Sequence, residues 1–177
     1  MNGRRKRGQR RDSTRRLSPQ QRDSASARFI GRTGACELDS VRLLFWGESC
    51  GAYSAAARRM RALTDAGLLA THTRAPHEPN RYVLTEKGAA WFGADGASTH
   101  VLRTGVRPFS QSADHLVTVA HVWALLAHRL SRPGAPRLAR FVTEAETRRL
   151  LGGHTRGALI PDGIVVVGGV ALAIEVD

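Results

Sequence analysis

Two constellations in this sequence bring together residue types that could do chemistry. The first is acidic. Pro161-Asp162 opens the apolar run Gly163-Ile164-Val165-Val166-Val167, and Glu175-Val176-Asp177 closes the run that begins at Val170. Gly168-Gly169 between them is a hairpin-turn dipeptide, so the two runs read as antiparallel strands. Pairing about that turn would return Glu175 toward Asp162, where neighbouring carboxylates could hold a divalent cation through oxygen ligands.

The second constellation is basic. The spacing predicts a helix over 55–66, with Ser54 as its N-cap and Gly67 just past its end. At 100° per residue Ala56, Met60, Leu63 and Gly67 share one face, Ser54, Arg58, Arg61 and Ala62 lie opposite, and Arg59 flanks. Arginines on the outer face of such a helix suit a major groove and its phosphates, the helix-turn-helix geometry. Arg74 and Arg81 flank the tip of the hairpin that follows, where they would reach a minor groove or phosphates. The expected DNA contacts are therefore Ser54, Arg58, Arg59, Arg61, Arg74 and Arg81.

The elements that must position these residues follow from periodicity. Leu38, Val41, Leu44 and Phe45 form one apolar stripe of a short helix ahead of the arginine helix. Leu68-Leu69-Ala70-Thr71-His72-Thr73-Arg74 and Arg81-Tyr82-Val83-Leu84 read as two strands around a Pro-containing turn, and Thr85 caps a final helix over 86–92. Residues 94–113 read as a linker. A long helix over 114–130 follows, then a strand over 137–142. Thr143 and Glu146 next fit a capping box at the start of a short helix. His115, His121 and His128 read as satisfied or solvent-facing rather than ligating, since the last two lie too far apart along a helix to share one metal. His115 has no evident partner.

Helix, turn, helix, two-stranded wing and helix is the order of a winged helix. Leu63-Thr64-Asp65-Ala66-Gly67-Leu68-Leu69 followed by Tyr82-Val83-Leu84-Thr85-Glu86-Lys87-Gly88 resembles the winged-helix pattern of many bacterial regulators. The acidic strands resemble the PD-(D/E)xK nuclease core. That resemblance implies Asp162 and Glu175 as metal-binding acids, with Mg²⁺ as the cofactor if the site is active. It makes Asp162, Glu175 and Asp177 the candidate catalytic residues. Asp177 stands where the pattern has Lys, which argues for a binding protein over an enzyme. Taken in order, the winged helix and the "PDG" and "EVD" strands resemble the replication-relaxation family over residues 28–177. The resemblance implies a DNA-binding role in mobile-element replication or transfer. It also implies a nuclease-like domain cut short, because the family's chains usually continue past the glutamate strand.

Composition sets the outer bounds. The chain has 177 residues and a formal net charge of +12. Eleven basic and two acidic residues fall within 1–32, so most of the excess sits in an arm while the remaining body is near neutral. Residues 1–27 hold almost no large apolar side chain and are expected to be disordered when free. No apolar run is long enough to span a membrane, and two cysteines without a signal peptide suggest a reduced, cytoplasmic setting. A basic arm on such a body points to a polyanion.

The expected architecture is thus α+β. A disordered arm (1–27) leads to a winged-helix domain (28–93), a linker (94–113) and a partial PD-(D/E)xK-like domain (114–177). The expected function is double-stranded DNA binding in plasmid or mobile-element replication control or transcription. The alternatives are a metal-dependent nuclease or nickase at Asp162/Glu175, and a non-catalytic remnant acting as a protein-interaction module. A homodimer or a separate C-terminal chain is the expected partner of the strand ending near Val176, whose open edge invites pairing.

Overall fold

The computed structural model describes residues 20–72, 77–93, 112–152 and 159–176, together with Ser18. The arginine clusters of 4–16, Arg74, most of the expected linker (94–111) and Asp177 lie outside the described residues. Within them the chain is mixed α+β, with six helices and two three-stranded antiparallel sheets.

The first half comprises α1 (Gln21–Thr33), β1 (Cys36–Glu37), α2 (Leu38–Phe45), α3 (Ala52–Asp65), β2 (Leu69–His72), β3 (Arg81–Leu84) and α4 (Glu86–Phe92). Helix α1 corrects the expected boundary of the arm, because residues 21–27 are helical and not part of a free tail. Its order comes from polar anchoring that composition does not reveal. Asp23 is fully buried, and its carboxylate accepts the Gln20 N–H (2.7 Å) ahead of the first turn. Helix α3 also starts earlier than expected. Gly51, at φ 87°, takes the N-cap position in place of Ser54, which lies inside the first turn.

Strands β2 and β3 pair antiparallel, with Leu69 opposite Leu84 and His72 opposite Arg81. The two-residue β1 adds to the other edge of β3, giving the order β1-β3-β2. The sequence segments around Gly67 and Gly88 meet directly behind this sheet. Thr85 accepts the Gly88 N–H (2.9 Å), and its hydroxyl lies 3.0 Å from the Leu68 carbonyl. Lys87 Nζ donates to the Ala66 carbonyl at 3.0 Å. A Cβ at position 88 would sit 2.0 Å from the Leu68 carbonyl oxygen, so only glycine permits this approach.

The second half comprises α5 (Ser112–Leu130), β4 (Leu138–Thr143), α6 (Glu144–Leu150), β5 (Gly163–Val167) and β6 (Val170–Ile174), with sheet order β4-β5-β6. Thr143 and Glu146 form the expected capping box of α6. Gly168 and Gly169 turn β5 into β6 at φ 56° and 86°, as the hairpin dipeptide predicts. Strand β6 is the outer strand, and Val170 and Leu172 on it are exposed.

Helix α5 serves both halves. It packs on α1, α2 and β1 on one side and on β4 on the other. Ala120 and Ala124 join the core of Phe29, Ile30, Val41, Met60, Leu63, Leu68 and Leu84. Val119 joins Phe141 and Val165 under the second sheet. Trp123 bridges the two cores. Its ring meets Phe29 edge-on (centroids 5.1 Å apart) and stacks on Phe141 (4.7 Å). Cys36 is buried in the first core and Cys50 is exposed, and both are free thiols.

Candidate nucleic-acid interface and acidic cluster

Helix α3 buries Ala56, Met60 and Leu63 and leaves Ser54, Arg58 and Arg61 exposed on the opposite face. Tyr53, more than half exposed, flanks this face in the first turn and was not among the expected contacts. It could have been found from its position beside Ser54, once the helix is started at Ala52. Arg58 also lines a groove of about 330 Å³ with Gln20, Trp46, Ala55, Arg59 and Ala62.

Two of the six expected contacts are engaged inside the fold. Arg59 grips Asp23 with both Nε (2.8 Å) and Nη2, and Nη2 also donates to the Ser18 carbonyl (2.8 Å). Arg59 therefore fastens α1 to α3, and its hydrogen bonds to the Asp23 carboxylate raise its pKa further. Arg81 is 8 % exposed and ion-paired with Asp114 at the start of α5, with Glu78 at 3.8 Å. These pairings hold both guanidiniums against their own chain. Ser54, Arg58 and Arg61 remain as the exposed set among the described residues.

The acidic strands assemble a different group from the one their spacing suggests. Asp162, just ahead of β5, is held on both carboxylate oxygens: Oδ2 accepts the Val176 N–H (2.8 Å), and Oδ1 lies 3.0 Å from His115 Nε2. His115, expected to stand alone, is thus a partner of Asp162. Its backbone position is one turn into α5, and α5 packs on β4 beside β5. Glu144, first residue of α6, completes the group, and its backbone N–H donates to the Asp162 carbonyl (3.2 Å). One ligand-capable atom from each of His115, Glu144 and Asp162 lies within 4.8 Å of the others. Glu175 is exposed, one residue past β6, and is not in this group. The cluster that the described residues assemble around Asp162 thus draws on His115 and Glu144 rather than on Glu175.

The other two histidines of α5 lie outside this group. His121 Nδ1 lies 3.3 Å from the Ser40 hydroxyl, and His128 Nε2 lies 3.3 Å from Glu48. Beside the acidic group, Arg32 on α1 donates Nε and Nη2 to Glu146 (2.9 Å each) and Nη2 to the Phe141 carbonyl (2.7 Å). It also lies over the Trp123 ring at 4.5 Å.

A profile of the replication-relaxation family matches residues 41–177, which takes in α3 and the acidic group together. The chain belongs to the replication-relaxation family. Membership supports a replication-related role. No curated protein and no solved structure matches this replication-relaxation protein significantly. None of its described helices is long and apolar enough to cross a membrane.

Proposed function

We propose that this replication-relaxation protein binds double-stranded DNA through the exposed face of α3, in plasmid or mobile-element replication control or transcription. The observation that carries the reading is the stripe Ser54, Arg58 and Arg61, exposed on a helix whose other face is locked into the core. The order α1, α2, α3, hairpin β2–β3 with β1 alongside, and α4 agrees with a winged helix in which α3 is the recognition helix. The basic residues ahead of Ser18 in the sequence support it too, and Ser18 itself accepts a hydrogen bond from Arg59 on α3. Arm arginines would neutralise phosphates without reading sequence, while Arg58 and Arg61 reach the groove.

Fluorescence anisotropy with a labelled duplex at several salt concentrations tests this. The expected result is a steep loss of affinity with salt, with the slope reduced by about one for each phosphate-contacting arginine removed. Arg58→Ala and Arg61→Ala should each weaken binding, and deletion of residues 1–17 should flatten the salt dependence more than either. Absence of duplex affinity at low salt overturns the proposal.

A further inference from the structure

We propose that His115, Glu144 and Asp162 form a binding site for one divalent transition-metal ion, with a nitrogen ligand from α5 and carboxylate ligands from α6 and the start of β5. Three elements distant in sequence converge on one point. Their ligand-capable atoms already lie within 4.8 Å of one another without an ion between them. They border a cavity of about 60 Å³ whose walls include Leu116, Val119 and Thr143, enough room for an ion and a water or two.

The donor set selects the metal class. Mg²⁺ and Ca²⁺ take oxygen ligands almost exclusively, whereas an imidazole nitrogen beside two carboxylates suits Zn²⁺, Mn²⁺, Fe²⁺ or Co²⁺. The geometry agrees. Metal–nitrogen and metal–oxygen bonds of about 2.0–2.2 Å place adjacent ligand atoms roughly 3 Å apart, and His115 Nε2 stands 3.0 Å from Asp162 Oδ1.

Neighbouring groups hold the ligand side chains in place. The Val176 N–H fixes the Asp162 carboxylate through Oδ2, leaving Oδ1 toward His115. Both Arg148 bonds to Glu144 fall on Oε1, so Oε2 carries neither. Arg32, which also lines the cavity, is ion-paired with Glu146. Three protein ligands leave at least one coordination position for water, the pattern of an open site and not of a closed structural one.

The test uses untagged full-length protein stripped with chelator, without DNA, so that its outcome is independent of the DNA-binding reading. Co²⁺ is titrated while its visible absorption bands are followed, and Zn²⁺ and Mg²⁺ are then added as competitors. The expected result is saturation at one Co²⁺ per chain, displacement by Zn²⁺ and no displacement by a large excess of Mg²⁺. His115→Ala and Asp162→Asn should weaken Co²⁺ binding by on the order of tenfold or more, and Glu144→Gln by several-fold. Because Asp162 also anchors the Val176 backbone, Glu144→Gln is the variant that keeps the fold, and an unchanged melting temperature is expected for it. No spectral change on Co²⁺ addition overturns the site, as does binding that His115→Ala and Glu144→Gln leave intact. Binding lost in Glu175→Gln but retained in His115→Ala overturns it in favour of an oxygen-only site on the strand ends.

Discussion

Arg32 on α1 holds Glu146 on α6 through two parallel N–H···O bonds of 2.9 Å, joining helices from the two halves of the chain. The pair is flanked by Trp123, over which the Arg32 guanidinium lies, and by the Phe141 carbonyl, which takes a third bond. Charge-assisted bidentate contacts of this kind fix orientation as well as distance.

Glu146 gives this clamp a pH signature. Burial by itself pushes its pKa up, but the hydrogen bonds from Arg32 and from the Thr143 N–H outweigh burial and pull it below the usual Glu range. A depressed folded-state pKa means that the stabilisation is complete above the ordinary Glu pKa and is lost as pH falls through the depressed value. Urea unfolding of Glu146→Gln should show a loss of about 2 kcal/mol at neutral pH. The deficit should shrink below about pH 4. A deficit that stays constant with pH contradicts the assignment.

Among the described residues, removing Arg59 would leave the fully buried Asp23 carboxylate with only the Gln20 N–H facing it. Arg59→Ala should therefore cost about 3 kcal/mol. Arg58→Ala, at an exposed position on the same helix, should stay within about 0.5 kcal/mol. Paired denaturation curves check this, and equal stabilities would show that Arg59 does not fasten α1.

Gly88→Ala forces a methyl carbon to within 2.0 Å of the Leu68 carbonyl oxygen, which belongs to backbone and cannot swing aside. A destabilisation of about 3 kcal/mol is expected, read as a lowered thermal midpoint. A midpoint unchanged from the parent would mean that α4 can slide away from Leu68 at little cost.

Trp123 touches Phe29 and Phe141, one from each core. Trp123→Ala should cost on the order of 4 kcal/mol and lower the Co²⁺ affinity together with stability, because α5 also carries His115. Calorimetry and the cobalt titration on the same sample check both effects. Loss of stability with unaltered cobalt binding would separate the packing of α5 from the placing of His115.

The two cysteines should differ sharply toward a thiol reagent. Cys50 is exposed, whereas Cys36 is buried in the core, where burial pushes its pKa well up. One thiol should react in native protein and two after unfolding, as counted with a chromogenic disulfide. Two fast thiols in the native state would contradict the buried placement of Cys36.

Several local patterns were legible because a local cause sets them, though the N-cap of α3 was not, lying at Gly51 instead of Ser54. The Ala56/Met60/Leu63 face of α3, the Gly168-Gly169 turn and the Thr143/Glu146 capping box follow from spacing and turn chemistry over a few residues, whereas α2 buries Leu43 with Leu38 and Val41 and leaves Leu44 and Phe45 half-buried. What spacing could not show was pairing at a distance. Asp23 meets Arg59 across 36 residues, and that ion pair, with no apolar signature, orders a segment whose composition suggests disorder. Arg81 sits at a hairpin position that suggests solvent, yet Asp114 covers it. His115 carries no motif of its own, and its meeting with Asp162 exists only because α5 packs beside the second sheet.

The double role of α5 has a consequence for how this protein can be taken apart. Cutting the chain between 93 and 112 would remove Ala120, Ala124 and Trp123 from beside Phe29, opening a greasy trench along the side of the fragment that carries the arginine stripe. The other fragment would keep α5 but lose its cover, baring the same helix. Each half carries the lid of the other, so neither fragment would keep a closed core by itself.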